Sequence, residues 1–200
     1  MQRVVPISDH ERLIARWKQG DTRVTEMLYE SHRDQAFRLA FGLLNQRTDA
    51  EDAAQEALSY ALLHPERFDP NRGRFSSWLY GIVVRICRNH LKGVRRRERL
   101  MFWTWGTRQR DAEPTTTHTP EDTAALQQMQ GRIWDAVQTL PDLQKEALIL
   151  RMWGGHTYVE IALILKCPQR TAQSRVRLAV DRLREHLGDA NVWNNGEMIG

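Results

Sequence analysis

The chain has 200 residues, 41% of them apolar, and a formal net charge of +4, which allows one domain or two small ones with packed cores. No stretch approaches a membrane span, and the opening MQRVVPISDHERL has no apolar run of signal-peptide length, so a soluble, cytoplasmic protein is expected. Cys87 and Cys167, the two cysteines, stand apart with no CxxC and no set of histidines at ligand spacing. They argue against a disulfide framework or a zinc site and predict free thiols in a reducing compartment.

In chain order, Ser8-Asp9-His10-Glu11 has the form of a capping box and opens a short helix through Trp17. Gly20 ends it and Asp21 caps the next, where Met27, Leu28, Phe37, Leu39, Ala40, Leu43 and Leu44 recur mostly at helical spacing. Thr48-Asp49-Ala50-Glu51 is a second box, starting a helix that stops at His64-Pro65. Ala53, Ala54, Ala57, Leu58, Ala61 and Leu62 form one face of that helix, with Asp49, Asp52, Gln55, Glu56 and Ser59 largely opposite.

Residues 68–97 are the centre of the chain. A turn-rich loop, Asp69-Pro70-Asn71-Arg72-Gly73, leads into a helix bearing Trp78, Tyr80 and the apolar set Leu79, Ile82, Val83 and Ile86. The cations Arg85, Arg88, Lys92, Arg95, Arg96, Arg97 and Arg99 follow. Cations that track phosphates beside rings that stack on bases suit a grip on unpaired nucleic acid. A core helix with a solvated basic face has the same composition. Acidic residues gather at 49–56 and basic ones at 85–99 and 170–184, which predicts two partner surfaces, one of them polyanionic. Gly93 interrupts the basic helix, whose second half is expected to be kinked or mobile, and Phe102, Trp103 and Trp105 fall where its pattern fails.

Residues 104–120 are polar and aperiodic and read as a linker. Thr119 and Pro120 then cap and start a helix running towards Leu140-Pro141, and another over 142–153 is stopped by Gly154-Gly155. Thr157-Tyr158-Val159-Glu160 is a third capping box, opening a short helix through Leu165. After the break Lys166-Cys167-Pro168, a basic helix runs over 169–187, and 189–200 reads as a loose tail. A short helix, a tight break and a longer cationic helix form a helix-turn-helix signature. Arg170, Thr171, Gln173, Ser174, Arg175 and Arg177 near the start of the second helix are the candidates for the major groove, with Val176, Ala179, Val180 and Leu183 inside. No catalytic or metal-ligating constellation is present in the sequence.

Asp49, Glu51, Asp52, Gln55 and Glu56, then FDPNRGRFSSWL, then LPDLQKEALILRMWGGHTYVEIALIL with TAQSRVRLAVDRLREHL, resemble the bacterial sigma-70 family, in particular its two-domain extracytoplasmic-function (ECF) group. The resemblance covers about residues 10–100 and 121–187. It implies an all-α fold of a region 2 domain (1–103), a linker (104–120), a region 4 helix-turn-helix domain (121–188) and a tail (189–200). It further implies a transcription initiation factor, not an enzyme, with core RNA polymerase and promoter DNA as partners, an anti-sigma factor or similar regulatory protein, and no cofactor.

By the same resemblance, Asp49, Glu51, Asp52, Gln55 and Glu56 dock on the largest core subunit. Phe68, Asn71, Arg72, Arg74, Phe75, Ser76, Arg85, Arg88, Asn89 and Lys92 hold the −10 element. Arg170, Thr171, Gln173, Ser174, Arg175 and Arg177 read the −35 element. Base extrusion costs a few kcal/mol, and contacts to the extruded base return about 1–3 kcal/mol, so binding can offset local opening without ATP. Trp78 fits a core anchor at least as well as a stacking platform. Asn89, Lys166 and Gln173 depart from the residues frequent in the family at these places; the last two leave the turn geometry and the −35 preference open, but not DNA binding. The alternative is a stand-alone helix-turn-helix regulator whose first bundle senses or dimerises; a nucleic-acid enzyme would need carboxylates beside the basic helix, where 68–97 offers only Asp69.

Overall fold

Asp21 opens the first long helix by accepting hydrogen bonds from the backbone N–H groups of Arg23 and Val24, as the sequence predicts. The computed structural model describes residues 7–105, 131–187, 193–194 and 197–198. Four helices make the N-terminal bundle: α1 (Ile7–Lys18), α2 (Thr22–Leu44), α3 (Arg47–Leu63) and α4 (Phe75–Trp105). A C-terminal bundle holds α5 (131–138), α6 (Asp142–Met152), α7 (Tyr158–Leu165) and α8 (Gln169–Leu187). Trp193–Asn194 and Glu197–Met198 pair as a two-residue antiparallel ladder in the stretch expected to be loose. The described fold is otherwise helical, as expected.

The helix boundaries differ from the sequence reading in places with physical causes. Asn45 takes a left-handed conformation (φ 53°) and its N–H closes on the Phe41 carbonyl, so the chain re-enters a helix after only two residues. Helix α3 therefore starts at Arg47 with Gln46 as its cap, and Thr48 of the expected capping box already lies inside the first turn. Ser8 likewise falls within α1, which is helical from Ile7. Gly93 does not end the basic helix: α4 runs as one helix of 31 residues and takes in 102–105. The expected cap at Thr119-Pro120 and the linker beyond Trp105 lie outside the described residues.

In the N-terminal bundle α2, α3 and α4 bury Leu39, Leu43, Ala50, Ala54, Ala57, Leu58, Leu79, Val83 and Val84. Cys87 is also buried there, and burial pushes its thiol up to about 12, leaving it protonated and unreactive. The C-terminal core is made by Val137, Leu148, Leu150, Ile161, Ala172, Val176, Ala179 and Leu183. The two bundles rest against each other, α4 against α7 and α2 against α6. At the second contact Gly42 of α2 faces Ile149 of α6 so closely that an added Cβ would meet its side chain at 3.0 Å.

Candidate nucleic-acid interface

The loop after α3 is built on an aromatic nucleus. His64 ends α3 and Pro65 starts a single 3-10 turn, Pro65–Arg67. A second such turn, Pro70–Arg72, is capped by the Asp69 carboxylate, which accepts from the Asn71 N–H at 3.0 Å. Gly73 then has φ 140°, a conformation that side-chain-bearing residues rarely adopt. Beneath the loop Trp17, Phe68, Phe75 and Trp78 pack ring against ring, Trp17 edge-on to Phe75 at 5.1 Å and Phe68 to Trp78 at 5.4 Å. Lys18 donates to the Phe68 carbonyl at 2.7 Å and ties the loop to α1.

This geometry divides the residues assigned to the −10 element. Asn71, Arg72 and Arg74 are exposed on the loop and Ser76 is half-buried at the start of α4. Phe68 and Phe75 are 2% and 0% exposed, so they offer no face to a base and serve to set the loop's shape. Trp78 belongs to the same nucleus, consistent with a core anchor. The cations of α4 separate as well. Arg85, Asn89 and Lys92 are exposed, with the Arg85 guanidinium 5.3 Å from the centre of the Tyr60 ring. Arg88 is half-buried and turned to the C-terminal bundle, where it donates through Nε and an Nη nitrogen to both oxygens of Glu146 at 2.6 and 2.5 Å. That contact raises its affinity for the proton further.

On α3, Asp52, Gln55 and Glu56 are exposed and lie within one turn, opposite the buried alanines. Asp49 is partly turned inward, 3.1 Å from the His90 ring nitrogen of α4, and Glu51 pairs with Arg47 at 2.8 Å. Asp52, Gln55 and Glu56 thus share one exposed stretch of α3, where Gln55 also accepts from the Tyr29 hydroxyl at 3.3 Å, while Asp49 and Glu51 are engaged with His90 and Arg47.

In the C-terminal bundle the Thr157 capping box is realised in full: the Glu160 N–H donates to the Thr157 hydroxyl, and the Thr157 N–H donates to the Glu160 carboxylate. That carboxylate is held below its ordinary range, the bonds from Thr157 outweighing its partial burial. Lys166 closes α7 in the left-handed conformation at φ 52° and ψ 52°. A lysine therefore keeps the turn geometry that glycine favours, and α8 starts three residues later. Arg170, Gln173 and Arg177 are exposed along the first turns of α8, while Thr171, Ser174 and Arg175 are half-buried. Ala172, Val176, Ala179 and Leu183 face the core, with Val180 half-buried at its edge.

The sequence model of Sigma-70 region 2 matches residues 28–97, and that of Sigma-70, region 4 matches 130–183. The ECF RNA polymerase sigma factor RpoE of Cereibacter sphaeroides is 30% identical over 140 residues, which cover 70% of this chain and 73% of that protein. The chain belongs to the sigma-70 family, in its ECF group. Two further relatives of that family match along most of their length. RNA polymerase sigma-H factor of Pseudomonas aeruginosa is 28% identical, with 88% of this chain and 94% of that protein covered. ECF RNA polymerase sigma factor SigW of Bacillus subtilis is 26% identical, with 90% and 97% covered. The sigma factor RpoE in its complex with the anti-sigma factor NepR from Bartonella quintana has a TM-score of 0.63 at 25% identity, with 82% and 98% covered. CnrH, solved with the cytosolic domain of CnrY, shares the fold at a TM-score of 0.66 and 19% identity, with 90% and 99% covered.

As a sigma factor the chain places its loop and basic helix in region 2 and its helix-turn-helix in region 4. The sequence missed two features of region 2. Trp17, on α1, completes the nucleus under the loop, and its apolar spacing from Leu13 and Ile14 is the only local sign of that burial. The second feature, Arg88 paired to Glu146, joins residues 58 apart and leaves no local pattern.

Lys166 provides a test of the region 4 turn. A non-glycine residue in the left-handed region costs about 1–2 kcal/mol, and glycine recovers that less its own greater freedom in the unfolded chain. Lys166→Gly is therefore expected to stabilise region 4 by about 0.5–1 kcal/mol, seen as a higher midpoint in thermal or urea unfolding. An unchanged or lower midpoint would show that the conformation carries no strain there.

Proposed function

We propose that this sigma factor recruits core RNA polymerase through the exposed face of α3, holds the unpaired −10 strand with the 68–76 loop and α4, and reads the −35 duplex with α8. The observation that supports this most is the presence of all three surfaces in region 2–region 4 order: an acidic helix face, an exposed Asn71-Arg72-Arg74 loop fixed on aromatic rings, and an exposed Arg170-Gln173-Arg177 edge. Lys92, Arg85, Arg72 and Arg74 supply cations for the strand backbone. Asn89 on the same helix adds a neutral donor and acceptor. No step of this action requires a catalytic group, and the reading assigns the chain none. The factor works in the cytoplasm, where its polymerase is; no described helix is long and apolar enough to cross a membrane. By analogy with the NepR complex of its structural relative, an anti-sigma protein is its expected regulator.

In vitro transcription from fragmented genomic DNA with sigma-free bacterial core polymerase tests the proposal. Discrete start sites that depend on the protein are expected, and their alignment gives both promoter elements. A chain that binds duplex DNA sequence-specifically yet directs no start sites with its cognate core would instead be a stand-alone regulator.

The exposed cations of α4 carry a more local expectation. Each phosphate contact adds about 0.7 to the slope of log affinity against log salt on a single strand, and about 0.9 on duplex. Arg85→Ala with Lys92→Ala is expected to reduce the slope of promoter binding by roughly 1.4–1.8. An unchanged slope would place both cations away from the DNA.

A further inference from the structure

The rings that the sequence offers for stacking on an unpaired base are engaged elsewhere. Phe68 and Phe75 are buried, and Trp78 packs with both of them beneath the loop. Grips on single strands commonly combine cations for the backbone with rings for the bases. A ring does stand beside the exposed cations of α4, and it comes from α3. Tyr60, in the last turn of that helix, is half-buried, and the Arg85 guanidinium lies over it at 5.3 Å from its centre.

Tyr60 is held in place from two sides. Part of its surface packs on the core, and the His64 ring, one turn on, meets it at 4.8 Å between centres and a tilt of 48°. His64 is itself fixed by Glu66, whose carboxylate lies 3.2 Å from Nδ1. Arg85 begins an exposed stripe of α4 that continues through Asn89 and Lys92, four and seven residues on. A strand whose phosphates follow that stripe passes the edge where Tyr60 stands. The face of α3 changes character at the same place. Asp52 and Glu56 are exposed carboxylates that repel a polyanion, whereas Tyr60, four residues after Glu56, lies under a cation.

We propose that Tyr60 is a stacking platform for an unpaired base of the promoter strand, with Arg85 beside it on the strand backbone. The last turn of α3 then belongs to the strand site, and the acidic stretch before it to the polymerase. The inference rests on the reading of α4 as the strand-holding helix. An arginine over a tyrosine is also a common surface contact with no ligand. A base contact differs from a mere support for Arg85 in one respect: it needs the base.

Full-length chains assembled with saturating core polymerase provide the test: wild type, Tyr60→Leu, Tyr60→Phe, and Arg85→Ala with Lys92→Ala. Circular dichroism of the free chains confirms folding, and core alone gives the baseline. Fluorescence anisotropy over a range of salt reads the binding of two short labelled single strands. One is a random-sequence pool, and the other is a strand of abasic sites, which keeps the phosphates and lacks the bases. Tyr60→Leu is expected to bind the pool about fivefold to a hundredfold more weakly, the usual range for a lost base–ring stack. Its salt slope should be unchanged, since no phosphate contact is lost, and its binding of the abasic strand should equal wild type. Tyr60→Phe keeps the ring and should bind the pool as wild type does. Arg85→Ala with Lys92→Ala should weaken both strands and lower the slope. Equal weakening of both strands by Tyr60→Leu would make the ring a support for Arg85 and overturn the base contact. A folded Tyr60→Leu chain that no longer joins core would assign the ring to the docking face and overturn it as well. Full binding of the pool by Tyr60→Leu, with the cation variant still weakened, would overturn the base contact and leave the strand-holding role of α4 intact. No loss in either variant would remove that role and the base contact together.

Discussion

Phe75→Ala is expected to destabilise the region 2 bundle by about 3–5 kcal/mol, the usual cost of removing a fully buried aromatic ring. Phe75 has no exposed surface and touches Trp17, Phe68, Trp78 and His32 at ring-centre distances between 5.1 and 5.8 Å. The ring is the keystone under the Asn71-Arg72 loop, so its loss is felt twice, as lower stability in denaturant and as weaker binding of a −10 single strand by whatever remains folded. Phe75→Leu keeps much of the volume and should cost clearly less than alanine. Duplex −35 binding, proposed for α8 in the C-terminal bundle, should survive both changes. A Phe75→Ala chain as stable as wild type that nonetheless lost strand binding would reverse the assignment and make the ring a base contact.

Asp52→Lys with Glu56→Lys should abolish polymerase recruitment while leaving the fold almost unchanged. Both side chains are exposed on the face of α3 opposite its buried alanines, so neither change disturbs the core. Against a complementary surface, like charges brought together cost several kcal/mol, which corresponds to a loss of about a hundredfold or more in affinity for core. Competition with another sigma factor for core measures it. Equal loss of core binding and isolated −35 binding would argue against a docking role for α3.

What was legible in the sequence follows from the range of the interactions concerned. Helical periodicity is local, and it gave the helices of both bundles and the inward faces of α3 and α8. Turn chemistry is local too, yet of the boxes at Thr48 and Thr157 only the second is used as a cap. The box at Thr48 was overruled by the two-residue turn at Asn45, which starts α3 early. At 68–76 the resemblance named a loop but could not sort its residues, because Phe68 and Phe75 owe their burial to Trp17, some fifty residues earlier. The α4 cations read as one run of positive charge. Their division into Arg85 and Lys92 on one hand and Arg88 and Arg95, paired to Glu146 and Asp142, on the other depends on helices far apart in sequence.

The uninterrupted course of α4 through Gly93 has a mechanical consequence. At 1.5 Å per residue its 31 residues span about 46 Å, with the 68–74 loop at one end and Trp105 at the other. Region 4 is therefore joined to region 2 from the tip of α4 farthest from that loop. The direction of α4, set by its packing in the N-terminal bundle, thus sets where in space the connection to region 4 begins.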